Sequence, residues 1–229
     1  MTAFLGYLRK WVLRLVLLAV ALTLLLTVPL RWIDPPGSAF MLIERVTSSY
    51  EISHQWVPLN EISPELALAV IAAEDQNFPN HHGFDLREIR AAVEIHRQGG
   101  RLRGASTISQ QLARNLYLWP HRSWVRKGLE FWFTLPVELF LPKQRILEIY
   151  LNVVEFGVGV YGAEAAAQHH FGKPASALTR AEAALLASVL PAPKHLDASR
   201  PSDYLIERQR WIIGQMNNLG LGWLPPSNG

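Results

Sequence analysis

Glu74 and Asp75 stand side by side where an almost uninterrupted run of Leu, Ile, Val and Ala ends, and Phe78, His81 and Gly83 follow closely. A helix of that composition over Ser63–Ala73 is apolar round most of its circumference and has to be buried. A carboxylate at its C-terminal end meets the negative pole of the macrodipole as well as the desolvation of burial, and both raise its pKa. That is where a general base would sit. The bland alternative is a solvated helix end, the commoner case for an arbitrary acidic pair. Phe78 before Pro79 offers an apolar wall, and His81, His82 and Gly83 turn the chain directly after the carboxylates. Adjacent histidines raise the question of a metal, but there is no HExxH and no spaced Cys or His set, so no metal site is identified. His81 reads instead as the holder of a loop or of a carboxylate.

A second group is GASTISQQLARN, Gly104 to Asn115. A Gly104-Ala105 turn leads to Ser106 and Thr107 at a helix start, where free N–H groups and the helix dipole can seat a phosphate or another oxyanion. Plain capping by Ser106 is the simpler reading. It leaves unexplained Gln110 and Gln111 beside Arg114, which shares their helix face at i+4 and i+3. Two amides and a guanidinium suit sugar hydroxyls and phosphate. The third group is Arg126-Lys127-Gly128-Leu129-Glu130 with Arg122 one turn earlier, so Arg122, Arg126 and Glu130 fall at successive i, i+4 positions. A surface ion-pair ladder accounts for this equally well, although base before acid is the weaker order. The fourth group runs Lys143 to Asn152; Ile146, Leu147, Ile149, Tyr150 and Leu151 suit a core, and Glu148 and Asn152 are placed to support a site through hydrogen bonds. The glycines from Gly157 to Gly162 lack the Lys and Ser or Thr of an NTPase phosphate loop.

The elements that must position these residues are mostly helices. Ser63, Pro64 and Glu65 form a helix start with a capping hydroxyl and a first-turn proline. Asp85 caps a second segment closed by Gly99 and Gly100. Further helices are expected over Ser106–Leu118, Arg122–Leu141, Lys143–Val153, Tyr161–His170, Thr179–Val189 and Ser202–Leu219. Met41–Val57, with Val, Ile, Thr and Tyr in short runs, is expected to hold a strand or two. The expected organisation is residues 1–10 before an anchor, an anchor over 11–33, a linker over 34–40 containing DPPGS, a catalytic domain over 41–220 and a frayed tail over 221–229.

The anchor follows from Leu15–Leu30, which carries no charge, and from apolar flanks that extend it to the roughly 20 residues a bilayer requires. Arg9, Lys10 and Arg14 precede it, so the positive-inside rule places the N-terminus in the cytoplasm and the rest outside. The run ends in TVPLRWIDPP without a small-residue cleavage pattern, which favours an uncleaved anchor over a signal peptide. Between the third and fourth groups FWFTLPVELFLP could be core, and beside an anchor it could also dip into the membrane interface, the reading favoured here. A net charge of +3 suits phosphate-bearing ligands or an anionic membrane and is no nucleic-acid signature on its own. With no cysteine the chain has neither a disulfide scaffold nor thiol chemistry.

Together the four groups, as EDxxFxxHxG, GxSTxxQQ, RKxxE and ILExYLN, resemble the biosynthetic peptidoglycan glycosyltransferases over about residues 61–194. The combination is highly specific. The resemblance implies a mainly α, lysozyme-like helical domain behind a single N-terminal transmembrane helix in the cytoplasmic (inner) membrane, with the catalytic domain on the periplasmic side. It implies polymerisation of lipid II onto a growing lipid-linked glycan chain, with membrane lipid and other cell-wall enzymes as partners and no nucleic acid. The length available points to the monofunctional form. By the same resemblance Glu74 is the base for the acceptor 4-hydroxyl and Glu130 a second essential glutamate on the donor side. Asp75, Phe78 and His81 shape the site. Ser106, Thr107, Gln110 and Gln111 line the cleft, Arg114 and Arg122 match the cations that stabilise the departing pyrophosphate, and Arg126 and Lys127 belong with the substrate-binding residues, with Gly104, Glu148 and Asn152 in support. No cofactor is required, and a divalent cation, Mg or Mn, bridging the pyrophosphate is compatible. Two departures stand out: Arg114 where the family usually has Lys, and Ala105 where it commonly has Gly. Arginine keeps the charge and can bind phosphate bidentately. The rivals are a lysozyme-like hydrolase or lytic enzyme, which would have little use for a cationic leaving-group pocket, and a non-catalytic membrane scaffold, against which two intact glutamates argue.

Overall fold

The structure, a computed structural model, describes residues 2–100 and 106–224, with side chains from residue 6 onward. Gly104, Ala105 and the end of the expected tail lie outside the described residues. The first helix, α1 (Thr2–Thr27), continues into a short 3-10 turn at Val28–Arg31. Its span Gly6–Arg31 is long and apolar enough to cross a membrane, and most of it faces outward rather than into the protein. Next, Ala39–Thr47 forms α2, because Ser38 caps it by accepting from the Met41 amide and because its apolar residues recur with helical spacing. Within Met41–Val57, where a strand or two were expected, the strand is Ser53–His54, β1, and the helix occupies the first part of the stretch.

Helix α3 (Pro64–Glu74) is the buried axis of the domain, with Leu66 to Ala72 inaccessible on every face. Burial all round is why its sequence shows no polar stripe, and each buried Leu, Ile or Val contributes roughly 1.5–3 kcal/mol of transfer free energy. Ser63 does not cap it as expected; its Oγ donates to the Leu178 carbonyl at 2.9 Å and ties the helix start to a distant loop. Then come α4 (Leu86–Arg97), capped by Asp85 Oδ1, α5 (Ile108–Tyr117), α6 (Trp124–Phe140) and α7 (Lys143–Val153). A small hairpin follows, β2 (Glu155–Gly157) and β3 (Val160–Tyr161). With β1 it forms a three-stranded sheet of order β1-β3-β2, in which β1 runs parallel to β3. Gly159 has φ +70° at the hairpin turn, a conformation that favours glycine. The chain closes with α8 (Ala163–Phe171), α9 (Arg180–Val189) and α10 (Asp203–Leu219). Helix α3 packs on α9 and α10, while α5 packs on α6 and α7. The functional groups gather where these two sets of helices meet.

The greasy segment resolves into two faces of α6. Thr134 and Val137 are buried, whereas Trp124, Phe131, Leu135 and Leu139 form an exposed stripe at helical spacing. Beside that stripe the Trp132 indole donates to Thr23 Oγ1 at 2.9 Å, so α1 lies against α6. Tyr117 and Thr27 share a hydrogen bond of 3.2 Å, and Arg145 donates to the Leu30 carbonyl at 2.7 Å and pairs with Asp34. The outward apolar faces of α1 and α6 are therefore neighbours.

Candidate active site

Glu74 ends α3 with its side chain 15% exposed at the wall of an open cleft of about 680 Å³. One carboxylate oxygen accepts from Gln111 Nε2 at 2.9 Å, and the other faces Arg208 Nη2 at 3.9 Å. Burial raises its pKa. The Gln111 hydrogen bond, Arg208 and Arg114 oppose that effect, and the neighbouring Asp75 charge adds to it. Gln111 is itself held: Tyr150 on α7 donates its hydroxyl to Gln111 Oε1 at 2.9 Å, which fixes the amide with its NH2 toward Glu74. Sequence reasoning treated Tyr150 as core only and did not find Arg208. Tyr150 is fully buried, so only its hydroxyl's partner reveals the role. Arg208 comes from α10, remote in sequence, and only the fold brings it near Glu74.

Asp75 turns inward instead. Its carboxylate accepts from His81 Nε2 at 2.9 Å and from the Ile108 amide at 2.9 Å. The Gly83 amide donates to His81 Nδ1 at 3.1 Å, so the proton of the neutral ring belongs on Nε2, pointing at Asp75. His81 thus holds a carboxylate in place. Phe78 is fully buried behind this pair, with Lys143 Nζ 4.5 Å from its ring centre.

This arrangement overturns the expected oxyanion seat at the start of α5. The Ile108 amide is taken by Asp75, and the Gln110 amide by Thr107 Oγ1 at 3.2 Å. The anion at this helix N-terminus is the protein's own carboxylate. The cap is Thr107 rather than Ser106, in a capping box whose return bond runs from the Thr107 amide to Gln110 Oε1 at 3.0 Å. Gln110 is thereby committed to the helix start and buried. The sequence Thr107-Ile108-Ser109-Gln110 carries that signature and could have shown it.

Across Ser106 lie the cations. Lys127 Nζ donates to Ser106 Oγ at 3.3 Å and pairs with Glu130, whose side chain is 2% exposed. Arg126 Nη1 lies 3.9 Å from Glu130 Oε2 and is buried as well. That burial excludes a surface ion-pair ladder. It also lowers the Arg126 pKa, with like charge from Arg114 and Arg122 acting in the same direction against Glu130. Arg122 does not extend the helical stripe, because Ser123 caps α6 and leaves Arg122 outside it. It stays within electrostatic reach of Arg126. Arg114 lies near both Glu74 and Arg126 and so links the two halves of the site.

Glu148 and Asn152 do other work. Glu148 Oε2 accepts from the Leu59 amide at 2.9 Å and Asn152 Oδ1 from the Val57 amide at 3.0 Å, so they anchor the segment before α3 and not Glu74 directly.

The model of a family described as Transglycosylase matches residues 41–217. The chain is 53% identical over 217 residues to a biosynthetic peptidoglycan transglycosylase of Xanthomonas campestris pv. campestris (strain B100), an alignment covering 92% of this chain and 88% of the relative. Against the protein of the same description from Stutzerimonas stutzeri (strain A1501) the identity is 51% over 212 residues, 90% of this chain and 88% of the relative. For Shewanella oneidensis (strain ATCC 700550 / JCM 31522 / CIP 106686 / LMG 19005 / NCIMB 14063 / MR-1) it is 53% over 214 residues, 92% and 91% of the two chains.

Proposed function

This chain belongs to the transglycosylase family and is a peptidoglycan glycosyltransferase of cell-wall synthesis, and on that premise we propose that it polymerises lipid II, with Glu74 as the general base. The observation that carries the proposal is a buried, pKa-raised carboxylate at one side of Ser106 and a crowd of guanidinium and ammonium groups at the other. Glu74 takes the proton of the acceptor 4-hydroxyl as its oxygen attacks the anomeric carbon of the donor. The C1–O4 bond forms with inversion while the C1–O bond to the pyrophosphate breaks, and undecaprenyl pyrophosphate leaves with the electron pair. Arg114, Arg126 and Lys127, with Arg122 at the margin, receive its developing charge. Like cations held this close destabilise one another, and a pyrophosphate among them relieves that cost. Glu130 keeps Lys127 and Arg126 in place on the donor side.

Among the described residues no group of three or more His, Asp or Glu side chains converges, and a divalent ion carried by the substrate pyrophosphate, which needs only one or two protein carboxylates, stays compatible with the site; the mechanism assigns such an ion no step. The apolar helix and the exposed stripe of α6 support a single-pass anchor in the cytoplasmic membrane, the cleft lying where lipid-linked substrate is. Incubation of the purified full chain with lipid II should yield glycan polymer and free undecaprenyl pyrophosphate. Cleavage of finished cell wall with lipid II left untouched would replace this reading with the lytic one.

A further inference from the structure

The cleft beside Glu74 has a second wall that the mechanism does not use. It comes from the face of α10 that carries Arg208, Trp211, Gln215 and Leu219, residues spaced i, i+3, i+7 and i+11. Arg208 is the member that reaches Glu74, and Trp211, Gln215 and Leu219 continue along the cleft. Trp211 is 41% exposed, an indole face left toward the opening rather than in the core. Just past the helix, Trp223 also lines the cleft, pinned by its Nε1 donating to the Gln76 carbonyl at 2.7 Å. Gln76 in turn donates to Gln215 Oε1 at 3.3 Å. Opposite stand Arg87 and Glu88 from the start of α4.

Two indoles, two amides, a carboxylate and two guanidinium groups are the chemistry of sugar recognition: aromatic faces take the C–H face of a pyranose, and the polar groups take hydroxyl and acetamide. Arg114, Arg126 and Glu130 are not in this wall. The about 680 Å³ available is typical of a small-ligand site and has room for more than one sugar ring. We infer that Trp211 and Trp223 form a stacking subsite for the N-acetylated sugars of the acceptor, placing its terminal hydroxyl at Glu74. The inference rests on the reading of Glu74 as the base, because the sugar that gives Glu74 its proton must occupy the cleft that Glu74 lines.

The test uses the full chain in detergent, a lipid-linked donor whose terminal 4-hydroxyl is blocked so that it can only donate, and unblocked lipid II as the varied acceptor. Trp211→Ala should raise the acceptor KM about tenfold, the loss expected for an aromatic anchor that the bound sugar covers. It should leave kcat within about twofold and the donor KM unchanged, since uniform binding is what is lost. Trp211→Phe should recover most of the acceptor affinity, and Trp223→Ala should add to the loss. Unchanged acceptor KM in both alanine variants overturns the inference, as does a rise in donor KM alone. Glu74→Gln, run alongside, separates the two claims: if it is inactive while the Trp variants bind acceptor normally, only the subsite fails. If it keeps wild-type turnover, the reading of the base fails.

Discussion

A carboxylate takes a proton from a sugar hydroxyl more readily as its pKa climbs toward the working pH, and Glu74 is raised chiefly by burial. Because the base must be ionised, the polymerisation rate should fall as pH drops through that raised pKa. The acid limb of a rate–pH profile should therefore lie above the ordinary Glu value of about 4.3. Gln111→Ala removes the largest effect opposing burial, and should move the limb higher still. The same shift has a stability consequence. A raised folded pKa means the ionised form is the costly one in the fold. Wild type should match Glu74→Gln in stability at low pH and fall behind it as pH rises from the ordinary carboxylate range through the folded pKa, measured by Tm across pH. Glu74 was legible in the sequence because an uninterrupted apolar run ends on it. Tyr150 and Arg208 were not, since a buried tyrosine in a core pattern and a lone arginine on an amphipathic helix look ordinary until their partners are seen.

At the level of elements, the junction of α3 and α5 depends on Asp75 serving two donors, the Ile108 amide and His81. Asp75→Asn would face one of these N–H groups with its own NH2. It should cost about 1–3 kcal/mol of unfolding free energy, read from denaturant midpoints. Gly83 is a second pivot. It has φ +85°, its carbonyl accepts from Thr107 Oγ1 at 2.6 Å, and an added Cβ would lie 2.8 Å from Thr134 Cγ2. Gly83→Ala should cost at least about 1–2 kcal/mol from the backbone conformation alone, again by denaturant titration. Most helices could be read from apolar spacing and their caps, as with Asp85 before α4 and Ser202 before α10. The helix over Ala39–Thr47 is not announced in the sequence despite its Ser38 cap, because the Val, Ile and Thr of Met41–Val57 point to a strand, which the fold places at Ser53–His54. The two- and three-residue strands left no alternation to read. The expected anion seat failed because the occupant of the α5 N-terminus lies in another helix's terminus, and no local pattern announces that.

For the whole molecule, the long apolar helix at the N-terminus was legible from its length and lack of charge, but not its docking, since Thr23 and Trp132, and Thr27 and Tyr117, are far apart along the chain. The docked α1 and the stripe led by Trp124, 92% exposed, make one apolar side of the protein. Leu139→Asp in that stripe should lower polymerisation in liposomes while leaving Tm in detergent unchanged, because Leu139 has little packing to lose. The central claim is tested most directly in the same setting, with full chain and lipid II in liposomes, comparing wild type with Glu74→Gln. Glu74→Gln should lose about 10²–10⁴-fold in rate with its fold intact. Polymer formed by Glu74→Gln at the wild-type rate would contradict the account.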